Sequence, residues 1–255
     1  MLQPAAAAIA APATQFQRVC RHLHATSPFD GLDLAENPLD LHGFGQNAEL
    51  FAQLVGELAP GLIIEVGTWY GKSAATWAQA IVQSNAAHNK QGGVLCIDTW
   101  LGAREMWEHQ GGAEGWWSRS KVSNAALAKS HQRLRLRNGY PQFYQQFLAN
   151  MVHLNLQEVI IPFPTTSVIA GRFLRDHGYH AEIIYVDGSH EYDDVTSDLE
   201  LYWQLVAPGG ALVGDDIWID EVQRAVERFA GQRNLSIVEA SPCWFIRKPT
   251  LETNV

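Results

Sequence analysis

From residue 61 onward, short apolar runs alternate with stretches of helical spacing, and this alternation constrains the fold more than any other feature of the chain. The runs are Leu62–Val66, Val94–Ile97, Val159–Phe163, Ile183–Val186 and Ala211–Val213. Each is short and continuously rich in Val, Ile or Leu, as strands covered on both faces must be. Ser73–Gln83 reads as a helix after the first run and Thr166–Asp176 as one after the third. Phe143, Phe147, Met151 and Leu154 make an apolar stripe before the third run. After the fourth, Val195, Leu199, Tyr202 and Val206 recur at helical spacing until Pro208-Gly209-Gly210, a helix-stop and turn signal. Strand–helix order of this kind predicts an α/β fold with a doubly wound, mostly parallel sheet and right-handed crossovers. A helix at Glu221–Ala230 and a closing antiparallel hairpin, Leu235–Val238 with Cys243–Ile246, would bring the sheet to seven strands.

The N-terminal part reads differently. Helices are expected around Gln15–His24 and at Asn47–Leu58, giving a helical extension over 15–60 ahead of a single domain over 61–250. The Ala-rich opening, 1–14, lacks a basic leader segment and is expected to be a disordered tail. The segment from Trp100 to Lys129 has no strand pattern and carries Trp107, Trp116 and Trp117. Such a long aromatic loop suits a lid or binding loop, or a surface buried against a second copy of the chain.

Composition excludes some classes of function. A net charge of −9 argues against nucleic acid as the main partner, since phosphate binding needs clustered Lys and Arg. No apolar run reaches the length of a membrane-spanning helix. Cys20, Cys96 and Cys243 are odd in number and have no ligand spacing, which suits reduced thiols in a cytoplasmic protein.

In open parallel sheets, ligands bind beyond the carboxyl ends of the strands. Acids stand at or just after several of those ends: Glu65, Asp98, Asp187 and the pair Asp215-Asp216. The first strand leads into "IIEVGTWYGKS", which at first suggests a triphosphate loop. That loop is written G-x-x-x-x-G-K-[ST], whereas only three residues separate Gly67 from Gly71 here. Trp69 and Tyr70 are bulky, and Glu65 would oppose a polyphosphate. An acid before a glycine turn suits a ligand bearing an ammonium group instead.

"IIEVGTWYGKSA" resembles the first motif of class I S-adenosylmethionine-dependent methyltransferases, in the E-x-G-x-x-x-G form of the small catechol-type O-methyltransferases. "CIDTW" at 96–100 resembles their second motif. The stretch 183–216, "IIYVDGSHEYDDVTSDLELYWQLVAPGGALVGDD", is similar to the branch of cephalosporin-hydroxylase-like and macrolide-sugar O-methyltransferases. The resemblance spans about residues 45–247 and implies a Rossmann-like methyltransferase fold. It further implies an enzyme that methylates a hydroxyl of a small molecule (a sugar, natural product or aromatic). A protein of the same fold that binds the cofactor, or assists an oxygenase, without methyl transfer is the alternative. Oligomeric state stays open, the N-terminal helices being able to serve a dimer interface or a lid.

By this resemblance Glu65 would accept from the cofactor's amino group, directly or through water, and Gly67 would let the backbone pass its methionine part. Gly71 and Ser73 open the next helix, Ser73 either bonding the cofactor carboxylate or capping that helix, with Lys72 solvated. Asp98 would take both ribose hydroxyls, and Trp100 would cover the adenine or lie in the core. Thr165, Thr166 and Ser167 would line the adenine or cap a helix. Asp187, Asp215 and Asp216 would gather around a divalent cation such as Mg²⁺, whose hard charge suits carboxylate oxygens. His190, three residues after Asp187, would be the general base.

Overall fold

A computed structural model describes residues 13–43, 47–107, 129 and 131–250. The expected tail therefore lies almost wholly outside the described residues, as do Trp116 and Trp117 and most of the aromatic segment. Among the described residues, seven strands form one sheet: β1 Leu62–Val66, β2 Gly93–Asp98, β3 Ile160–Pro164, β4 Ala181–Val186, β5 Val206–Gly214, β6 Ile237–Ala240 and β7 Cys243–Arg247. Their order is β3-β2-β1-β4-β5-β7-β6, parallel except for β7, which runs antiparallel to both β5 and β6. The principal α-helices among these residues are α1 Gln15–Leu23, α2 Ala48–Leu58, α3 Lys72–His88, α4 Arg104–Trp107, α5 Phe143–His153, α6 Ser167–Asp176, α7 Tyr192–Trp203 and α8 Asp220–Gly231. None is long and apolar enough to cross a membrane.

Strand side chains alternate between two cores, as a pleated sheet requires. Leu62, Ile64, Val66, Ile97, Ile184 and Leu212 point into one core with Phe16 and Val19 of α1 and apolar residues of α6, α7 and α8. Ile63, Val94, Cys96, Tyr185 and Val213 point into the other, against α2, α3 and α5, where Phe51 stacks on Trp77 at 3.6 Å. The two N-terminal helices thus cover opposite faces of the sheet and belong to its two cores.

Two details carry the effect of proline. β3 contains Pro162 and Pro164, which cannot donate to a ladder, and β3 is an edge strand. β5 starts at Val206, five residues before the expected Ala211, so Val206 belongs to the strand and not to the helical stripe. Pro208-Gly209-Gly210 lies inside β5 as an irregularity: pairing jumps from Ala181↔Val206 to Ile183↔Ala211. A side chain at Gly210 would come within 2.6 Å of the Glu182 carbonyl oxygen, so the tight approach of β4 demands glycine there.

The topology reverses between β1 and β4, with β1's crossover leading to β2 on one side while β4 lies on the other. This switch point opens a crevice at the carboxyl ends of the strands, and Asp98, Asp187, Asp215 and Asp216 fall along it.

Candidate active site

A cavity of about 920 Å³ runs along the strand ends. Of the residues singled out from the sequence, Gly67, Ser73, Asp98, Thr165, Thr166, Ser167, Asp187, His190, Asp215 and Asp216 line it. Glu65, Gly71 and Trp100 do not line it.

The glycine loop is a constrained turn. Gly67 has φ +87°, and a Cβ there would lie 2.0 Å from the Asp187 carbonyl oxygen. The close approach that requires glycine at 67 is therefore that of the loop after β4, where the sequence suggested the ligand. Gly71 has φ +83°, and a Cβ would meet Phe147 at 2.6 Å and Met151 at 2.8 Å. The packing of the start of α3 against α5 therefore requires a glycine here. Trp69 also adopts a left-handed φ, +50°, which a bulky residue holds only when its surroundings enforce it.

Asp98 supplies that enforcement. Its Oδ2 accepts from the backbone N–H groups of Thr68 at 2.9 Å and Trp69 at 2.8 Å, and its Oδ1 from Trp100 N at 2.7 Å. The carboxylate clamps the glycine loop to the end of β2, so its oxygens face the cavity with part of their accepting capacity already used. Desolvation pushes its pKa up, while those amides oppose the rise. Trp100 lies in the core: it is 2% exposed, its ring packs on Tyr144 and Phe147, and its indole N–H donates to Trp69 O. A wall over an adenine is not where the fold puts it.

Glu65 is fully buried beneath Thr68 and Ser73 on the side of α3. Across the sheet it is flanked in register by Cys96 and Tyr185. Desolvation raises its pKa to about 8, against weaker opposition from the Ser73, Cys96 and Thr68 side chains. Its Oε1 is buried without a hydrogen-bond partner. A cofactor amine would reach Glu65 only through the loop side chains or a water.

Ser73 does not cap α3. The cap position is Gly71, no side chain caps the helix, and Ser73 turns toward Glu65. The first-turn amides of α3 are thus left for an anionic group in the cavity. Lys72 is half-buried and donates to Gly43 O at 3.1 Å, where the sequence suggested a solvated side chain. On the other side, Thr166 is the N-cap of α6, its hydroxyl accepting from Ile169 N.

The acids after β4 and β5 gather as the parallel pairing of those strands dictates. One oxygen each of Asp187 and Asp216 and one ring nitrogen of His190 lie within 4.8 Å of one another. His190 Nε2 is 2.7 Å from Asp216 Oδ2. Asp215 is oriented differently from the sequence expectation: it is buried, and its oxygens meet Tyr185 OH at 3.2 Å, Cys243 Sγ at 3.7 Å and Asp216 N at 2.8 Å. His190 completes the trio in its place. Burial, then repulsion from Asp215, Asp216 and Glu65, drives the Asp187 pKa well above the usual carboxylate range. Asp216 sits at φ +56°, and its Oδ1 accepts from the indole of Trp218, which is 59% exposed on the cavity rim.

Sequence reasoning passed over Trp218, Asp198 and Tyr185. Trp218 stands two residues after the acidic pair, a spacing that would have placed it at the rim. Tyr185 alternates with Asp187 on one strand face, and period two alone puts its hydroxyl beneath the acids.

The site fits S-adenosylmethionine on two observations: the uncapped start of α3 and the cavity extending past Asp98. The oxygen and imidazole donor set of the trio fits a divalent cation.

A family model described as a methyltransferase domain matches residues 64–217, more than half of the chain. No curated protein matches. Among solved structures, the O-methyltransferase NovP aligns with a TM-score of 0.55 at 16% identity over 79% of each chain. TomG, an O-methyltransferase from Streptomyces achromogenes involved in tomaymycin synthesis and solved with SAM, gives 0.54 at 13% identity, covering 91% of this chain and 98% of its own. An O-methyltransferase from Bacillus cereus in complex with SAH gives 0.51 at 13% identity over 94% of each chain. At these identities the likeness is one of fold.

Proposed function

This chain belongs to the methyltransferase-domain family, and on that premise we propose that it transfers the methyl group of S-adenosylmethionine to a hydroxyl of a small molecule. The observation that carries this is the continuity of one cavity from the Asp98-clamped glycine loop to the Asp187–His190–Asp216 trio. A nucleoside-binding half and a proton-handling half open onto the same space. That the structural neighbours NovP and TomG are O-methyltransferases supports a hydroxyl oxygen as acceptor.

The bound cofactor supplies a sulfonium methyl carbon. Asp98 keeps the glycine loop in its strained turn, and the uncapped first turn of α3 receives the cofactor carboxylate. His190, its Nε2 against Asp216, is oriented to take the acceptor's hydroxyl proton. Asp187 and Asp216 would hold a divalent cation beside the uncoordinated His190 imidazole, and the charge of the cation would favour the ionised acceptor oxygen. Trp218 presents an aromatic face at the rim, suited to a sugar or ring. Rate comes mostly from aligning the acceptor oxygen, methyl carbon and sulfur.

The test is methyl transfer from labelled S-adenosylmethionine to a panel of hydroxylated sugars and phenols, together with calorimetric binding of S-adenosylhomocysteine. His190→Ala should lower turnover by about 10²–10⁴-fold while cofactor affinity stays within about threefold of the parent. Undiminished transfer by His190→Ala and Asp187→Asn would remove the base and the cation from the mechanism. Tight cofactor binding with no transfer to any acceptor would favour the non-transferring alternative.

A further inference from the structure

At the nucleoside end of the cavity stands a carboxylate that the fold itself leaves underused. Asp198 lies in the middle of α7, is 6% exposed, and lines the cavity beside Ser167 and Ser197. Among the described residues, the Ser167 hydroxyl is its one hydrogen-bond partner. Desolvation raises its pKa to about 6 and the negative charge of Asp194 adds to the rise. Burying a carboxylate with a single neutral partner disfavours folding unless a ligand completes its hydrogen bonds.

Three other polar groups at this end are already engaged. Asp98 holds three backbone amides, the Thr166 hydroxyl caps α6, and the Ser197 hydroxyl donates to Asp193 O. Opposite Asp198 stands Gly188, where a Cβ would meet nothing closer than 3.7 Å and would lie 3.8 Å from Asp198 Oδ2. The fold has room for a side chain at 188, and glycine keeps the space in front of the carboxylate open.

We propose that Asp198 recognises the exocyclic amino group of the cofactor's adenine by accepting a hydrogen bond from it. This rests on the cavity being the S-adenosylmethionine site. An aminopurine presents N–H donors at its 6-position, the complement of a buried carboxylate. A purine lacking that group would leave the carboxylate against a C–H edge with its hydration lost, and such a site rejects the analogue strongly.

The experiment is isothermal calorimetry with S-adenosylhomocysteine and its 6-deamino analogue, on the parent chain and on Asp198→Asn and Asp198→Ala. A charge-assisted hydrogen bond should make the parent prefer S-adenosylhomocysteine by about ten- to a hundredfold. In Asp198→Ala the preference should fall to within about threefold of unity, with Asp198→Asn between the two because its amide oxygen still accepts. Equal loss of affinity for both ligands, with the ratio unchanged, would make Asp198 a tie between α7 and Ser167 and overturn the assignment. If the alanine variant does not fold, an unchanged ratio in Asp198→Asn overturns it equally. A parent chain that binds S-adenosylhomocysteine without preference defeats the role of Asp198 alone, whereas one that binds neither ligand defeats the cofactor site as well.

Discussion

Two carboxylates of this site show how burial assigns different work to one functional group. Asp98 is surrounded by amides, so it anchors a turn; Glu65 is surrounded by thiol, hydroxyl and apolar groups, so it holds its proton. For Asp98→Ala, three charge-assisted bonds vanish together and the left-handed turn at Trp69 loses its clamp. Unfolding in urea should show a loss of about 3 kcal/mol, and cofactor affinity should fall with it. Asp98→Asn should lose about half as much, because its NH₂ must face one of the three donors. Glu65 makes an opposite prediction about pH. Its folded pKa, about 8, lies above its unfolded value. The folded state therefore binds the extra proton between pH 4.5 and 8, and stability falls as pH rises through that window. Glu65→Gln should flatten the pH dependence there and match or exceed the parent at pH 8, by an amount on the order of a few kcal/mol. Denaturation midpoints of parent and variant from pH 5 to 9 would decide it; parallel curves would mean that Glu65 is ionised throughout.

The strands and helices were legible from their sequence pattern because each obeys a single local rule. All seven expected strands exist, six with limits within two residues of those expected and β5 starting five residues early; the five parallel ones were legible because buried parallel strands are continuous apolar runs that little else imitates. The acids at strand ends were legible for the same reason: once the strands are placed, topology sends their carboxyl ends to one edge. Side-chain direction was not legible. Asp215 turns into the core because Tyr185 and Cys243 wait there, and Trp100 does so because Phe147 and Tyr144 receive its ring. These partners come from other elements, and no local pattern announces them. The glycines fall between the two cases, since their need was visible and its cause was not. Gly71→Ala, strained in φ and 2.6 Å from Phe147, should cost about 2–4 kcal/mol in thermal or urea unfolding. Gly67→Ala should force the loops after β1 and β4 apart and abolish cofactor binding even where the fold survives. Gly188→Ala, with open space before it, should change stability by less than about 1 kcal/mol. A Gly188→Ala variant as unstable as Gly71→Ala would contradict these steric assignments.

Across the whole molecule, the doubly wound sheet concentrates carboxyl groups at one place. Four carboxylates from three strand ends, Glu65, Asp187, Asp215 and Asp216, converge near the switch point, and Asp187 feels the other three. Parallel pairing of β1, β4 and β5 in register makes that convergence unavoidable, so the fold is destabilised locally wherever these groups ionise together. A divalent cation bound by Asp187 and Asp216 beside His190 would relieve the repulsion and stabilise only the folded state. At tenfold above its dissociation constant, Mg²⁺ or Mn²⁺ should add about 1.4 kcal/mol. In a chain of this size that raises the melting temperature by about 3–5 °C. Matching the ionic strength with NaCl separates site binding from screening, which acts over the whole acidic surface. Asp187→Asn should melt higher than the parent in the absence of the cation, because one repelling charge is gone, and should lose the divalent shift. If the parent's melting temperature responds to MgCl₂ and MnCl₂ no more than to NaCl of equal ionic strength, the trio is a histidine oriented by carboxylates, and deprotonation of the acceptor falls to His190 and Asp216 alone.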